Sequence, residues 1–168
     1  MKLYVMRHGP AEEHAAGSGL DADRALTTAG RDRTRGVAKA LLDADEAPLT
    51  ILTSPLVRCV QTAEIVAIAT KLGERNGTVE TRRELAPGGD VTKLVAELRA
   101  PSRPRRARVM LCGHEPDCSH LYAFLLGERM PGAMQKAMVL GLHLRDKDDV
   151  KLRFILDPKT LVFDPDHR

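Results

Sequence analysis

Tryptophan is missing from this 168-residue chain, and aromatic residues make up only 3% of it. The core must therefore be aliphatic, built from Leu, Val, Ile, Ala and Met. No apolar run approaches the roughly 20 residues that a membrane-spanning helix needs, so no membrane role is expected. A secretory leader is not expected either, because the first apolar run is short and meets Arg7 at once. Cysteine is scarce: three residues at no framework spacing, which suits reduced thiols and a cytoplasmic setting. A formal net charge of +3, with no aromatics interleaved among the basic residues, gives no case for nucleic acid. The chain also lacks a Gly-rich phosphate loop, an Asp cluster for Mg²⁺ and a C-x₅-R nucleophile motif. No cofactor is implied.

What is present is a regular alternation of apolar runs and helical patterns. Strands are predicted over Lys2–Arg7, 49–53, Thr78–Thr81, 108–112, 137–144 and 151–156, the last two joined by the polar turn "RDKDD". A helix capped by Thr27-Thr28 should reach Leu42, and Ser54-Pro55 offers a cap and first-turn proline for a second helix ending near Leu72. Val91–Leu98, capped by Asp90 or Thr92, and 118–126 complete the helices. Strands that alternate with helices imply an α/β three-layer sandwich, with a mixed, mostly parallel central sheet flanked by helices. With no linker or repeat, residues 1–168 read as one domain. No feature sets an oligomeric state, and a monomer is the simpler expectation.

Three of the predicted strands end in charged or titratable residues. "LYVM" runs into Arg7-His8-Gly9, "LTILT" into Ser54-Pro55 with Arg58 shortly after, and "VMLC" into Gly113-His114-Glu115-Pro116. Ligands of open α/β sheets bind beyond the carboxyl ends of the strands, so Arg7, His8, Arg58 and His114 can converge on one crevice. Arg7 and His8 share it only if the chain leaves the pleat after them, an exit that Gly9 should ease. Two arginines, two histidines and a helix N-terminus suit an oxyanion. A neutral imidazole nitrogen can attack phosphorus, and histidine is the nucleophile candidate left at this edge.

The ordered motifs "MRHGPAE", "LTTAGRDR", "TSPLVRCVQTAEIV" and "LCGHEPD" resemble the histidine phosphatase superfamily, the phosphoglycerate mutase-like fold, and within it the small SixA-type phosphohistidine phosphatases. The resemblance implies a metal-independent phosphatase in which His8 accepts the phosphoryl group. Arg7, Arg58 and His114 would bind that group, and Arg24 would add a further contact. Glu84, in "ELAPGGD", falls where larger members place a proton donor. Larger members also roof the cleft with an inserted helical segment. Here one short helix stands in that place, so the resemblance implies an open, shallow site for a phosphorylated protein side chain. Phosphohistidine fits this picture, because a leaving imidazole is protonated easily near neutral pH and needs no strong acid beside it.

Other readings attach to the same residues. A phosphatase for a small phosphomonoester uses the same machinery, and an inactive phosphoprotein-binding module keeps the anion pocket without the chemistry. Cys112, His114, Cys118 and His8 raise a metal site, although their spacing matches no zinc pattern. Glu115 and Asp117 read as caps of the following helix. Glu12 and Glu13 lie in a solvated loop, and His14, His120, His143 and His167 show no partner pattern. The basic stretch "PSRPRRARV" reads as a solvated loop, with docking of an acidic partner as its alternative.

Overall fold

The computed structural model describes residues 1–100, 107–130, 132–146 and 149–165. The basic stretch 101–106, His167 and the tip of the predicted "RDKDD" turn lie outside the described residues. Seven strands form one sheet in the order β3-β2-β4-β1-β5-β6-β7. They are β1 (Lys2–Arg7), β2 (Thr50–Thr53), β3 (Thr78–Thr81), β4 (Arg108–Gly113), β5 (Val139–Asp146), β6 (Asp149–Leu156) and β7 (Phe163–Asp164). β3, β2, β4 and β1 run parallel, and β5, β6 and β7 continue antiparallel from β1.

Period-two alternation puts a separate core on each face of the sheet. In β1, Leu3 and Val5 join one cluster, with Leu94, Val95 and Leu98 of α3 (Val91–Leu98) and Leu121 of α4 (Asp117–Leu126). Tyr4 and Met6 join the other, with Val37, Ala38 and Leu41 of α1 (Thr28–Asp43) and Ala63 and Val66 of α2 (Val57–Ala69). The expected three layers are present: helices, sheet, helices. Among the described residues, no helix is long and apolar enough to cross a membrane.

Most predicted elements stand within a residue or two of the expected bounds, and the exceptions have local causes. Thr27 caps α1 through its side chain, which accepts from the Gly30 N–H at 2.9 Å. α2 starts at Val57 with Leu56 as its cap, not at Ser54-Pro55. The Ser54 hydroxyl meets His114 at 2.8 Å and accepts from the N–H of Leu56 at 3.3 Å, ahead of the helix. α2 also stops at Ala69 rather than Leu72, since Lys71 takes a left-handed conformation with φ of 53°. Three elements had no sequence signal: the 3₁₀ turns at Asp21–Asp23 and Arg83–Leu85 and the two-residue β7.

Candidate active site

β4 lies between β2 and β1, and the registers pair Arg7 with Gly113 and Thr53 with Cys112. The next residues along each strand are His8, His114 and Ser54, so three distant segments deliver side chains to one edge, with Ser54 one residue level below the two histidines. Backbone bonds extend past the strands there: His8 N–H donates to Gly113 at 3.0 Å and Ser54 N–H to Cys112 at 3.0 Å. The His8 and His114 rings lie 5.3 Å apart between centroids.

The exit after His8 depends on Gly9, for a steric reason rather than the expected conformational one. Gly9 has no left-handed φ, but a Cβ there would lie 2.4 Å from the Thr34 Oγ1. Gly30, at the start of α1, is similarly crowded, with a Cβ position 2.0 Å from the Pro10 carbonyl oxygen. α1 therefore packs directly on the turn that follows His8. Thr62 of α2 fixes the same turn, its Oγ1 accepting from Gly9 N–H at 3.1 Å while donating to the Arg58 carbonyl at 2.7 Å.

His8 Nδ1 lies 2.7 Å from the Gly9 carbonyl oxygen. A carbonyl only accepts, so Nδ1 carries the proton and the neutral ring keeps its lone pair on Nε2. Burial pushes the His8 imidazolium down to about 3, against a Gly9 bond that favours it, with His114, Arg58 and Arg7 adding to the fall. His114 is pushed down to about 4, by burial and then by Arg58. Both rings are neutral at pH 7, and His8 can act as a nucleophile without first losing a proton.

Arg7 donates Nη1–H to the Met134 carbonyl at 2.6 Å, and its buried Nε has no hydrogen-bond partner among the described residues. Arg58 is buried and held by Asp21 twice, Nη1–H to the backbone carbonyl at 2.7 Å and Nη2–H to the carboxylate at 3.0 Å. Arg24 donates Nε–H to the Glu12 carbonyl at 2.6 Å and Nη1–H to the other Asp21 oxygen at 2.7 Å. Arg7, His8, Arg58 and His114 thus form one electrostatic cluster, which Arg24 joins through Asp21. Guanidinium groups around a neutral imidazole suit a tetrahedral oxyanion.

Glu84 stands apart. Its carboxylate takes a bond from Arg82 at 3.0 Å, which holds it below the usual carboxylate range. It lines an open cleft of about 550 Å³ with Arg82, Arg83, Asp90 and Lys93. The two histidines are buried, His8 6% and His114 2% exposed. α3 packs its apolar face on the sheet.

Glu115 and Asp117 are not helix caps, since Pro116 occupies the cap position of α4 without a side-chain bond. Asp117 accepts instead from Gly88 N–H at 3.2 Å. Glu115 accepts from Ser119 Oγ–H at 2.8 Å and Met134 N–H at 2.7 Å, so it grips the peptide segment whose carbonyl holds Arg7. Asp21, Glu115 and Met134 are contributors the sequence did not announce. Burial pushes the Cys59 and Cys118 thiols up, which keeps them protonated. Among the described residues no group of three His, Cys, Asp or Glu is placed to hold a metal.

Residues 3–108 match the family described as the histidine phosphatase superfamily (branch 1). The chain is 35% identical over 161 residues to the phosphohistidine phosphatase SixA of Escherichia coli, covering 96% of each chain. It is also 35% identical over 170 residues to an uncharacterised protein of Picosynechococcus, covering 96% of this chain and 99% of the other. A solved structure of the protein histidine phosphatase SixA complexed with tungstate superposes with a TM-score of 0.84 at 31% identity, covering 96% of this chain and all of the other. With the family match spanning well over half its length, this chain belongs to the histidine phosphatase superfamily.

Proposed function

We propose that residues 1–168 act as one metal-independent phosphatase domain that removes phosphoryl groups from phosphohistidine on a signalling protein, through a phosphohistidine intermediate on His8. The observation that carries this reading is the His8 tautomer: Nδ1–H is committed to the Gly9 carbonyl, leaving a lone pair on Nε2 within a cluster of guanidinium groups. Nε2 attacks phosphorus and forms the new N–P bond as the substrate's P–N bond breaks, its electron pair leaving with the substrate imidazole. Water then attacks the phosphorus on His8, giving inorganic phosphate and restoring the neutral ring. Arg7, Arg58 and His114 hold the equatorial oxygens, where negative charge spreads in the transition state, and Arg24 adds a peripheral contact. The neutral histidine inside the cation cluster favours this enzyme over a silent binding module, because binding alone has no use for a nucleophile at its centre.

The substrate class rests on two supports. One is the name of the SixA relative at 35% identity. The other is Glu84, which is ionised by Arg82 and so poorly suited to protonate a leaving alkoxide. A leaving imidazole makes no such demand. The cytoplasm, where phosphorelay proteins and reduced thiols coexist, is the location this reading implies.

The test is a panel of a phosphohistidine-bearing protein against sugar and nucleotide phosphates. The reading requires turnover of phosphohistidine well ahead of the alkyl phosphates and its loss in His8→Ala. Preference for an alkyl phosphate would assign the protein to small phosphomonoesters instead.

A further inference from the structure

We infer that Asp21 is a specificity-determining residue: its carboxylate, fixed between Arg24 and Arg58, favours a substrate whose leaving group is a protonated imidazole over one that leaves as an anion. The inference rests on the substrate reading above and adds the residue that enforces it.

Asp21 is misplaced for a site devoted only to phosphate. One carboxylate oxygen lies 2.7 Å from Arg24 Nη1 and the other 3.0 Å from Arg58 Nη2, so a negative side chain sits among the cations proposed to receive a dianion. Arg24 is the main cause that keeps this carboxyl below its usual range, and the group is ionised at neutral pH. Its charge also reaches His114, whose protonated form it favours.

Holding the arginines does not explain the placement. Arg58 keeps a bond to the Asp21 backbone carbonyl at 2.7 Å, and Arg24 keeps one to the Glu12 carbonyl at 2.6 Å. Both anchors survive removal of the charge. The Asp21 side chain is also 60% exposed, whereas that of Arg58 is 7% exposed. Its unused lone pairs therefore face solvent at the rim beside the buried Arg58, where a leaving group would pass on its way out from phosphorus held by that guanidinium.

The chemistry at that rim differs between substrates. In phosphohistidine with its second ring nitrogen protonated, the departing ring carries positive charge and an N–H. As the P–N bond breaks, its electron pair moves to the ring, which leaves as neutral imidazole with that N–H still in place. A carboxylate facing the ring accepts from the N–H and stabilises the protonated substrate and the transition state that follows. An aryl phosphate builds negative charge on its leaving oxygen, and the same carboxylate opposes it.

The experiment compares wild type, Asp21→Asn and Asp21→Glu on a phosphohistidine-bearing peptide and on p-nitrophenyl phosphate, with inorganic phosphate as inhibitor. Asp21→Asn is expected to lose about tenfold in kcat/KM on the peptide, mainly through KM, a size suited to one charge-assisted bond. Its rate on p-nitrophenyl phosphate should rise, phosphate should inhibit more tightly, and Asp21→Glu should recover most of the peptide activity. Parallel changes on both substrates, or no change on either, would overturn the inference, since they make Asp21 a support for the arginines or a bystander. Asp21→Ala is the second variant should the Asn form unfold. A wild type that turns over p-nitrophenyl phosphate and not the peptide defeats the substrate reading itself, and this inference falls with it; the two failures are thus separate outcomes.

Discussion

His8 owes its chemistry to the residue that follows it. The Gly9 carbonyl selects the tautomer, and burial keeps the ring unprotonated. This has a consequence for stability. In the unfolded chain both histidines titrate near 6.5, while in the fold His8 titrates near 3 and His114 near 4. Between these values the unfolded state binds more protons. Stability is therefore complete above about pH 6.5 and falls as pH drops toward 5. Urea unfolding of phosphate-free protein at pH 7, 6 and 5 should show this loss. His8→Asn should reduce the slope by about one proton, or about 1.4 kcal/mol per pH unit. Identical slopes for the two proteins would mean that His8 titrates in the fold as it does in the unfolded chain.

At the scale of elements, the site is assembled by strand ends and locked by loops. Glu115 grips the Met134 peptide, and Met134 in turn holds Arg7. Glu115→Leu removes the acceptor while keeping the bulk, and should lower kcat/KM about five- to tenfold with weaker phosphate inhibition. Glu115→Gln, which retains an accepting oxygen, should stay near wild type. A Leu variant that matches wild type in both kinetics and inhibition would show that Arg7 needs no such support. These links also mark the limit of what could be read from the chain. Arg7, His8, Arg58 and His114 were legible because each sits in a short motif at the end of an apolar run, and the run itself predicts the strand. Arg7 with Met134, Glu115 with Met134 and Arg58 with Asp21 join residues 127, 19 and 37 positions apart, and no local pattern records such pairings. The start of α2 departs from its local signal for a related reason. Ser54-Pro55 is a sound local signal for a cap, yet the serine hydroxyl bonds His114 and the N–H of Leu56, and the helix begins only after Leu56.

Across the whole molecule, the site at one end of the sheet is balanced by an ion cluster at the other. Glu46, between α1 and β2, accepts from Tyr4 O–H at 2.8 Å and Lys2 Nζ at 3.0 Å in β1, and from both terminal nitrogens of Arg153 in β6. Burial raises its pKa, but the bonds from Arg153, Lys2 and Tyr4 outweigh this and hold it at about 2. Glu46→Gln should cost about 2–4 kcal/mol of unfolding free energy while kcat stays unchanged, because the cluster touches none of the site residues. Chemical denaturation alongside turnover checks both halves, and a fall in kcat at saturating substrate would show that the two ends are coupled.

The central claim is that a neutral His8 attacks phosphorus through Nε2. It is tested most directly by trapping the protein during turnover of a labile phosphodonor and reading the adduct by ¹H–¹⁵N–³¹P NMR. The account predicts one phosphoryl group, on Nε2 of His8, absent from His8→Ala. Phosphorus on Nδ1, on His114 or on no histidine at all would contradict it.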